Sequence, residues 1–193
     1  MSEENSKYPQ ISDIEKELKR ERYRQRYKIS LKNTVFTLIT VAAIAVLVAT
    51  LWLPVLQIYG GSMSPTLEDG QIVVSTTVNK LESGDIIAFY YNNKVLVKRV
   101  IAGSGQWVNI DDKGDVYIND AYLNEPYIQK KAKGQTDIEY PYQVPEGKIF
   151  VMGDEREVSV DSRTSVVGCI DRDQIIGKIV FSIWPIDKFG SVG

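Results

Sequence analysis

The sequence predicts a mainly β protein, built as an N-terminal transmembrane helix followed by an all-β domain that carries a small irregular inserted subdomain. Three observations lead there. No charged side chain occurs between Lys32 and Glu68, and Thr34 to Leu53 is a nearly continuous apolar run of about 20 residues, long enough to cross a hydrocarbon core of about 30 Å as a helix. Beyond it the pattern changes to short β-type runs separated by turn residues. One later stretch, Asn124 to Val144, is polar, Tyr-rich and interrupted by Pro126 and Pro141, which suits an insertion better than a core.

Residues 1 to about 15 are polar and without periodicity, which predicts a disordered start, and Ile14 to Ile29, with Leu18, Tyr23 and Tyr27 among charged residues, fits a basic helix. Lys19, Arg20, Arg22, Arg24, Arg26, Lys28 and Lys32 face only one acid in that interval, Glu21. Basic residues before an apolar span predict a cytoplasmic N-terminus, so the chain from about Leu56 onward is expected outside the membrane, with Trp52 at the far interface. A cleaved signal peptide is the competing reading, and Ala43-Ile44-Ala45 offers a small-x-small triplet. That triplet lies inside the apolar run, where a cleavage site should follow it, and the run exceeds the usual core of about 7 to 15 residues. An uncleaved anchor fits better. The expected division is a basic tail over 1–32, an anchor over 33–55 and a β domain over 56–193, with the insertion at about 105–145.

Strands are expected at Gln71 to Val78, Asp85 to Tyr91, Lys94 to Ala102, Trp107 to Ile110, Asp115 to Ile118, Lys148 to Met152 and Ile175 to Trp184. Turn residues separate them, among them Ser83-Gly84, Asn92-Asn93, Asp112-Lys113-Gly114 and Pro145-Glu146-Gly147. No internal repeat is evident.

Composition limits the chemistry. The chain of 193 residues has a formal net charge of -2, which gives no reason to expect a nucleic-acid partner. There is no histidine and only one cysteine, Cys169. A Ser-His-Asp triad, a His-ligated zinc site, an internal disulfide and a Cys-clustered metal site are therefore excluded. An enzyme built from this chain must draw its base from Lys, Asp, Glu or Tyr, and no cofactor or metal is implied.

Three stretches could carry chemistry. Gly60-Gly61-Ser62-Met63-Ser64-Pro65-Thr66-Leu67 presents a serine in a turn opened by glycine and stiffened by proline, directly after the anchor. Such residues alone are the ordinary vocabulary of turns. In Val95-Leu96-Val97-Lys98-Arg99-Val100-Ile101 the two-residue alternation puts Lys98 on one face with Leu96 and Val100. Desolvation there would lower its pKa toward the range of a general base. An edge strand, or an ammonium reaching out to water, explains such a lysine equally simply, and the strand by itself favours that reading. Adding Ser62 shifts the balance, since an exposed serine, an isolated lysine and no histidine are what a Ser-Lys dyad requires. The third stretch, Phe150 to Arg163, joins a buried strand end to a loop dense in Asp, Arg and Ser. It suits either a positioning network or a solvated loop with surface ion pairs.

Together these stretches resemble the bacterial type I signal peptidases, membrane-anchored serine proteases. The resemblance rests on Gly61 to Leu67, Ser83-Gly84-Asp85-Ile86-Ile87-Ala88-Phe89, Val97 to Ile101, and Gly153-Asp154 through Asp161-Ser162-Arg163, in that order after one anchor. It implies a signal-peptidase-like fold and cleavage of signal peptides from exported preproteins after small residues. It further implies that Ser62 is the nucleophile, its backbone N–H an oxyanion donor, and Lys98 the base. Ser159 would hold the lysine, Asp161 and Arg163 would buttress its loop, and Asp154 would pair with Arg99. Ile58, Met63, Leu67 and Val97 would line the pocket for the small side chain. The implied partners are signal peptides and the bilayer, with the protein a monomer. Two positions depart from the family pattern: Gly60 stands where some relatives carry a hydroxyl that helps hold the oxyanion, and Glu155 stands where Asn is usual. A non-catalytic anchored relative that binds or chaperones exported subunits is the alternative, and it would be expected to lack Ser62 or Lys98. A self-cleaving repressor would share the dyad but not the anchor.

Overall fold

The structure is a computed structural model that describes residues 11–77 and 80–192. The polar start over residues 1–10, Val78 at the end of one expected strand, and the side chain of Trp52 lie outside the described residues. The chain falls into two compact units that divide between Ala49 and Thr50.

The first unit is helical. Helix α1 runs from Ile11 to Trp52, 42 residues, or about 63 Å at the α-helical rise. The basic stretch and the apolar run, expected as separate elements, are thus one helix. Nothing between Ser30 and Thr34 breaks it, because the junction contains neither Pro nor Gly. Among the described residues it is the one helix long and apolar enough to cross a membrane. Within the apolar stretch the hydroxyls of Thr34, Thr37 and Thr40 donate to carbonyls four residues earlier, at 3.0, 2.9 and 2.9 Å. Their polarity is therefore satisfied inside the helix, as a hydrocarbon surrounding demands. Pro54 disfavours helical geometry in the residue before it, and the helix stops at Trp52.

The second unit is two antiparallel sheets. Its strands are β1 (Val55–Gln57), β2 (Ile72–Thr76), β3 (Ile86–Tyr91), β4 (Lys94–Ala102), β5 (Trp107–Ile110), β6 (Val116–Ile118), β7 (Ala121–Tyr122), β8 (Tyr142–Gln143), β9 (Lys148–Met152), β10 (Ile170–Asp171), β11 (Ile175–Trp184) and β12 (Gly190–Ser191). Val55, placed at the end of the anchor on sequence grounds, belongs to β1. The larger sheet has the order β1-β2-β11-β3-β4-β9-β10, with β12 on β11; the smaller has the order β7-β6-β5-β8. Asn92 and Asn93, at φ 43° and 62°, make the tight turn of the β3-β4 hairpin, as asparagines tolerate the left-handed region best after glycine. Asn119-Asp120 does the same between β6 and β7, at φ 51° and 65°.

Register shifts interrupt the pairing of β11 with β2 and β3, and of β4 with β9. Bulges bend and twist the strands that carry them, and the larger sheet curls so that β1 and the start of β4 face one groove. Between Asn124 and Val144 only β8 is regular. The two sheets share a core: Val108, Ile110 and Val116 from the smaller pack with Ile101, Phe150 and Met152 from the larger.

Phe150 is fully buried in that shared core. Phe150→Ala should lower unfolding stability by about 3 to 5 kcal/mol, the transfer loss plus the cavity left behind. Urea unfolding of the detergent-solubilised full chain checks this, and a change below about 1 kcal/mol would mean that the two sheets do not depend on each other there.

Candidate active site

Lys98 sits in the middle of β4, opposite Ile87 of β3. Leu96 and Val100, its neighbours on one face, pack with Ile87, Phe89 and Val151. The side chain does not reach out to water: Lys98 is 3% exposed. Its Nζ lies 2.7 Å from Ser62 Oγ and 3.0 Å from Ser159 Oγ, donating to both hydroxyl oxygens. Burial pulls its pKa down to about 8 from an ordinary 10.5; the charges of Asp161 and Asp154 oppose this and that of Arg163 reinforces it. Two residues 36 positions apart in the chain are thereby joined, one from the turn after β1 and one from the strand.

Ser62 is presented by a compact turn. The Ser64 N–H donates to the Gly61 carbonyl at 3.0 Å, the Leu67 N–H to the Met63 carbonyl at 2.9 Å, and the Gly60 N–H to Asp69 Oδ1 at 2.7 Å. Gly60 has φ +81°, a conformation that costs other residues about 1 to 2 kcal/mol. The missing hydroxyl at this position thus coincides with a backbone shape that favours glycine. The Ser62 N–H makes no hydrogen bond among the described residues, so it is available to a ligand.

The loop from Gly153 to Arg163 is buried rather than solvated. Asp161 accepts from the Gly153 N–H at 2.9 Å and from Arg163 Nε and Nη2, both at 2.8 Å. Burial alone would raise the Asp161 pKa, but the Arg163 guanidinium and the Gly153 N–H outweigh it and hold the carboxyl below its usual range. Arg163 Nη2 also donates to the Ser159 carbonyl at 3.2 Å, which fixes the serine beside Lys98. Asp154 accepts two bonds from Arg99, at 2.8 and 2.6 Å, and one from Thr66 Oγ1 at 2.5 Å. Arg99 Nη1 reaches the Gly84 carbonyl at 2.7 Å. One guanidinium therefore ties together the serine turn, the loop at Gly84, the lysine strand and the Gly-Asp loop. Gly153 is required by contact, since a Cβ there would lie under 3.0 Å from Ser159 Oγ and from the Ser62 carbonyl. At Glu155 the backbone N–H, not the side chain, serves the site: it donates to the Ser62 carbonyl at 3.1 Å.

A groove of about 550 Å³ opens beside Ser62 and Lys98, lined by residues 55–60, Met63 and residues 94–97. Both walls are strand edges. β1 pairs only with β2, and β4 is paired on its second side only from Arg99 onward. Ile58, Met63 and Val97 line this groove. Leu67 does not: it is fully buried and packs in the core with Ile58, Met63 and Val73, because its turn directs it away from the opening.

Sequence reasoning missed Thr66, Gly84, Glu125, Tyr127 and Arg156. Arg156 donates from Nε to the Gly153 carbonyl at 3.1 Å and through both terminal nitrogens to Glu125, with Nη1 at 3.0 Å. The Tyr127 hydroxyl donates to Glu125 Oε1 at 2.8 Å, and Arg99 lies 3.8 Å above the Tyr127 ring. Arg156 stood inside a conspicuous stretch, but Glu125, 31 residues away, carried no local signal.

A family model described as signal peptidase, peptidase S26, matches residues 31–184. Signal peptidase IB of Staphylococcus aureus strain COL is 39% identical over 153 residues, covering 68% of this chain and 78% of that protein. Signal peptidase I of Bacillus licheniformis is 35% identical over 174 residues, covering 81% and 92%. A solved signal peptidase I from Enterococcus faecalis V583 superposes with a TM-score of 0.45 at 30% identity, over 53% of this chain and 98% of that one. The match reaches from the last basic residue of α1, Lys32, to the end of β11, and the chain belongs to the S26 family of signal peptidases.

Proposed function

We propose that this chain is a serine endopeptidase that removes N-terminal signal peptides from translocated preproteins after small residues, with Ser62 as nucleophile and Lys98 as general base. The observation that carries this reading is the 2.7 Å contact between Lys98 Nζ and Ser62 Oγ at an amine that burial brings to a pKa of about 8. At such an amine the neutral form is accessible near neutral pH, and a neutral amine can accept the serine proton. Ser62 Oγ attacks the scissile carbonyl as its proton passes to Nζ. The oxygen that gains charge is stabilised by the Ser62 N–H, the donor the turn leaves free. The resulting ammonium returns its proton to the departing amine, leaving an acyl ester on Ser62. Lys98, neutral again, then activates a water that hydrolyses the ester and regenerates the serine. Ser159 holds Nζ in line throughout.

The groove accounts for the substrate. An extended segment can pair with the free edges of β1 and of Lys94–Lys98, and the apolar side chains of Ile58, Met63 and Val97 line the groove as a wall suited to a small apolar side chain. The apolar half of α1 anchors the protein, the basic half remains on the cytoplasmic side, and the β unit works on the outer side as a monomer. Anchoring confines enzyme and membrane-borne substrate to one thin layer, which raises their effective concentration.

Ser62→Ala and Lys98→Ala should each reduce precursor processing by roughly three orders of magnitude or more, assayed with a purified preprotein in detergent or vesicles; processing at wild-type rates in both variants would exclude the dyad. The lowered lysine pKa fixes the sign of the pH dependence. The active form is unprotonated, so kcat/KM should rise through a midpoint near pH 8 and fall about tenfold per pH unit below it. A rate that stays flat from pH 9 to pH 5 contradicts a neutral-amine base. Gly153→Ala should displace Ser159 Oγ and the Ser62 carbonyl and lower kcat by roughly 10²-fold while the protein remains folded, read by steady-state kinetics beside a thermal melt.

A further inference from the structure

Gly153 and Asp154 form the dipeptide against which the reacting serine rests. The space beside Gly153 is filled by Ser159 Oγ and the Ser62 carbonyl, and Asp154 binds Thr66 of the serine turn. Each member of this dipeptide is gripped by one arginine: Arg156 Nε holds the Gly153 carbonyl at 3.1 Å, and Arg99 holds both oxygens of Asp154. Both arginines are in turn held by one short segment that lies outside all four family stretches. Glu125 takes the two terminal nitrogens of Arg156, while Tyr127 places its ring 3.8 Å beneath Arg99 and gives its hydroxyl to Glu125 at 2.8 Å.

We propose that Glu125 and Tyr127, carried by the insertion that follows β7, are positioning residues for the Ser62–Lys98 pair, acting through Arg156 and Arg99 on the Gly153-Asp154 dipeptide. This rests on the dyad reading above. The chemistry of the clamp explains its composition. A carboxylate can accept two parallel donors from one guanidinium, which fixes the plane of Arg156 and so the direction of its remaining Nε–H toward the Gly153 carbonyl. A ring face constrains a guanidinium by stacking without competing for its hydrogen bonds, which leaves Arg99 free to serve Asp154, Gly84 and Thr66 at once. The phenol-to-carboxylate bond joins the two halves, so a displacement at either arginine is felt at both ends of the dipeptide.

The clamp touches neither the groove nor the reacting atoms, and its loss should therefore alter kcat rather than substrate binding. Tyr127→Phe keeps the ring and removes only the hydroxyl, at a half-buried position where folding is not at risk; Tyr127→Ala removes both. Glu125→Gln keeps the shape and halves the acceptor capacity, though it leaves Arg156 buried without its counter-charge and so is the variant most exposed to misfolding. The measurements are kcat, KM and the pH midpoint of kcat/KM on the full-length protein in detergent, with a thermal melt for each variant. The expected result is a graded fall in kcat, a few-fold for Tyr127→Phe and ten-fold or more for Tyr127→Ala, with KM within two-fold of wild type. In Tyr127→Ala the pH midpoint should move upward as a loosened site readmits water to the lysine. Wild-type kcat and an unmoved pH midpoint in Tyr127→Ala overturn the proposal, as does a loss of activity that tracks only the fraction unfolded. If Ser62→Ala retains cleavage, the dyad reading itself fails; if Ser62→Ala is dead and Tyr127→Ala is wild type, only the clamp is wrong.

Discussion

An uncharged lysine amine is useful only where water cannot hold its proton, and the rest of this domain follows from keeping Lys98 dry without handing it a counter-charge. Lowering its pKa from 10.5 to about 8 corresponds to roughly 3 kcal/mol of disfavoured ammonium. Two carboxylates lie close enough to undo this. Asp161 and Asp154 both favour the charged lysine, and either, if free, would draw it into an ion pair. Each is instead committed to an arginine through paired hydrogen bonds, Asp161 to Arg163 and Asp154 to Arg99. As near-neutral units the pairs give rigidity without a large net field, and Lys98 is left to bond two hydroxyls, which cannot neutralise it.

The fold supplies the two things this requires, a dry wall and an open edge. Where β9 covers β4, from Arg99 to Ala102, the strand is buried on both faces. Beyond the end of β9 at Met152, from Lys94 to Lys98, the edge of β4 is free and faces the groove. Lys98 stands at the boundary, close enough to the covered half to be desolvated and close enough to the open half to meet a substrate. The bulges of β11 and β4 bring β1 round to the other side of that opening. A flat sheet of the same order would leave three strands between them.

Much of this was legible in the chain. The runs for β4, β5, β9 and β11 match their strands end for end; β4 lies between Asn93 and Gly103, β9 between Gly147 and Gly153, and β11 stops at Pro185, residues that leave little freedom in where a strand stops. Ser62 and Lys98 stood out by residue type and setting, whereas Ser159 and the Asp-Arg pairs were reached only through the family resemblance. What was hidden was of two kinds. The strands β1, β7, β8, β10 and β12 have two or three residues each, too few for alternation to register, so only tertiary pairing defines them. The Glu125–Arg156 contact joins positions whose surroundings look like surface loop, and burial, which a sequence does not display, turns an ordinary acid into a structural partner. Leu67 shows the converse: a motif gave its neighbourhood, while the direction of its side chain depended on the turn.

The choice of cations at this site follows from the same division of labour. The group proposed as the base is a lysine, whose pKa moves readily with burial. Every cation that must keep its charge while the lysine titrates is an arginine: Arg99, Arg156 and Arg163 are all buried and all bonded to carboxylates. Arginine stays protonated at any pH the enzyme meets, so the clamps hold through both charge states of Lys98 and the geometry does not change as the proton arrives. A lysine at any of those three positions would face the same desolvation as Lys98 and would lack the forked geometry that fixes a carboxylate plane. The site therefore separates a single titrating cation from three fixed ones. In the proposed mechanism, that separation is what would let a chain without histidine run acid and base steps at one nitrogen.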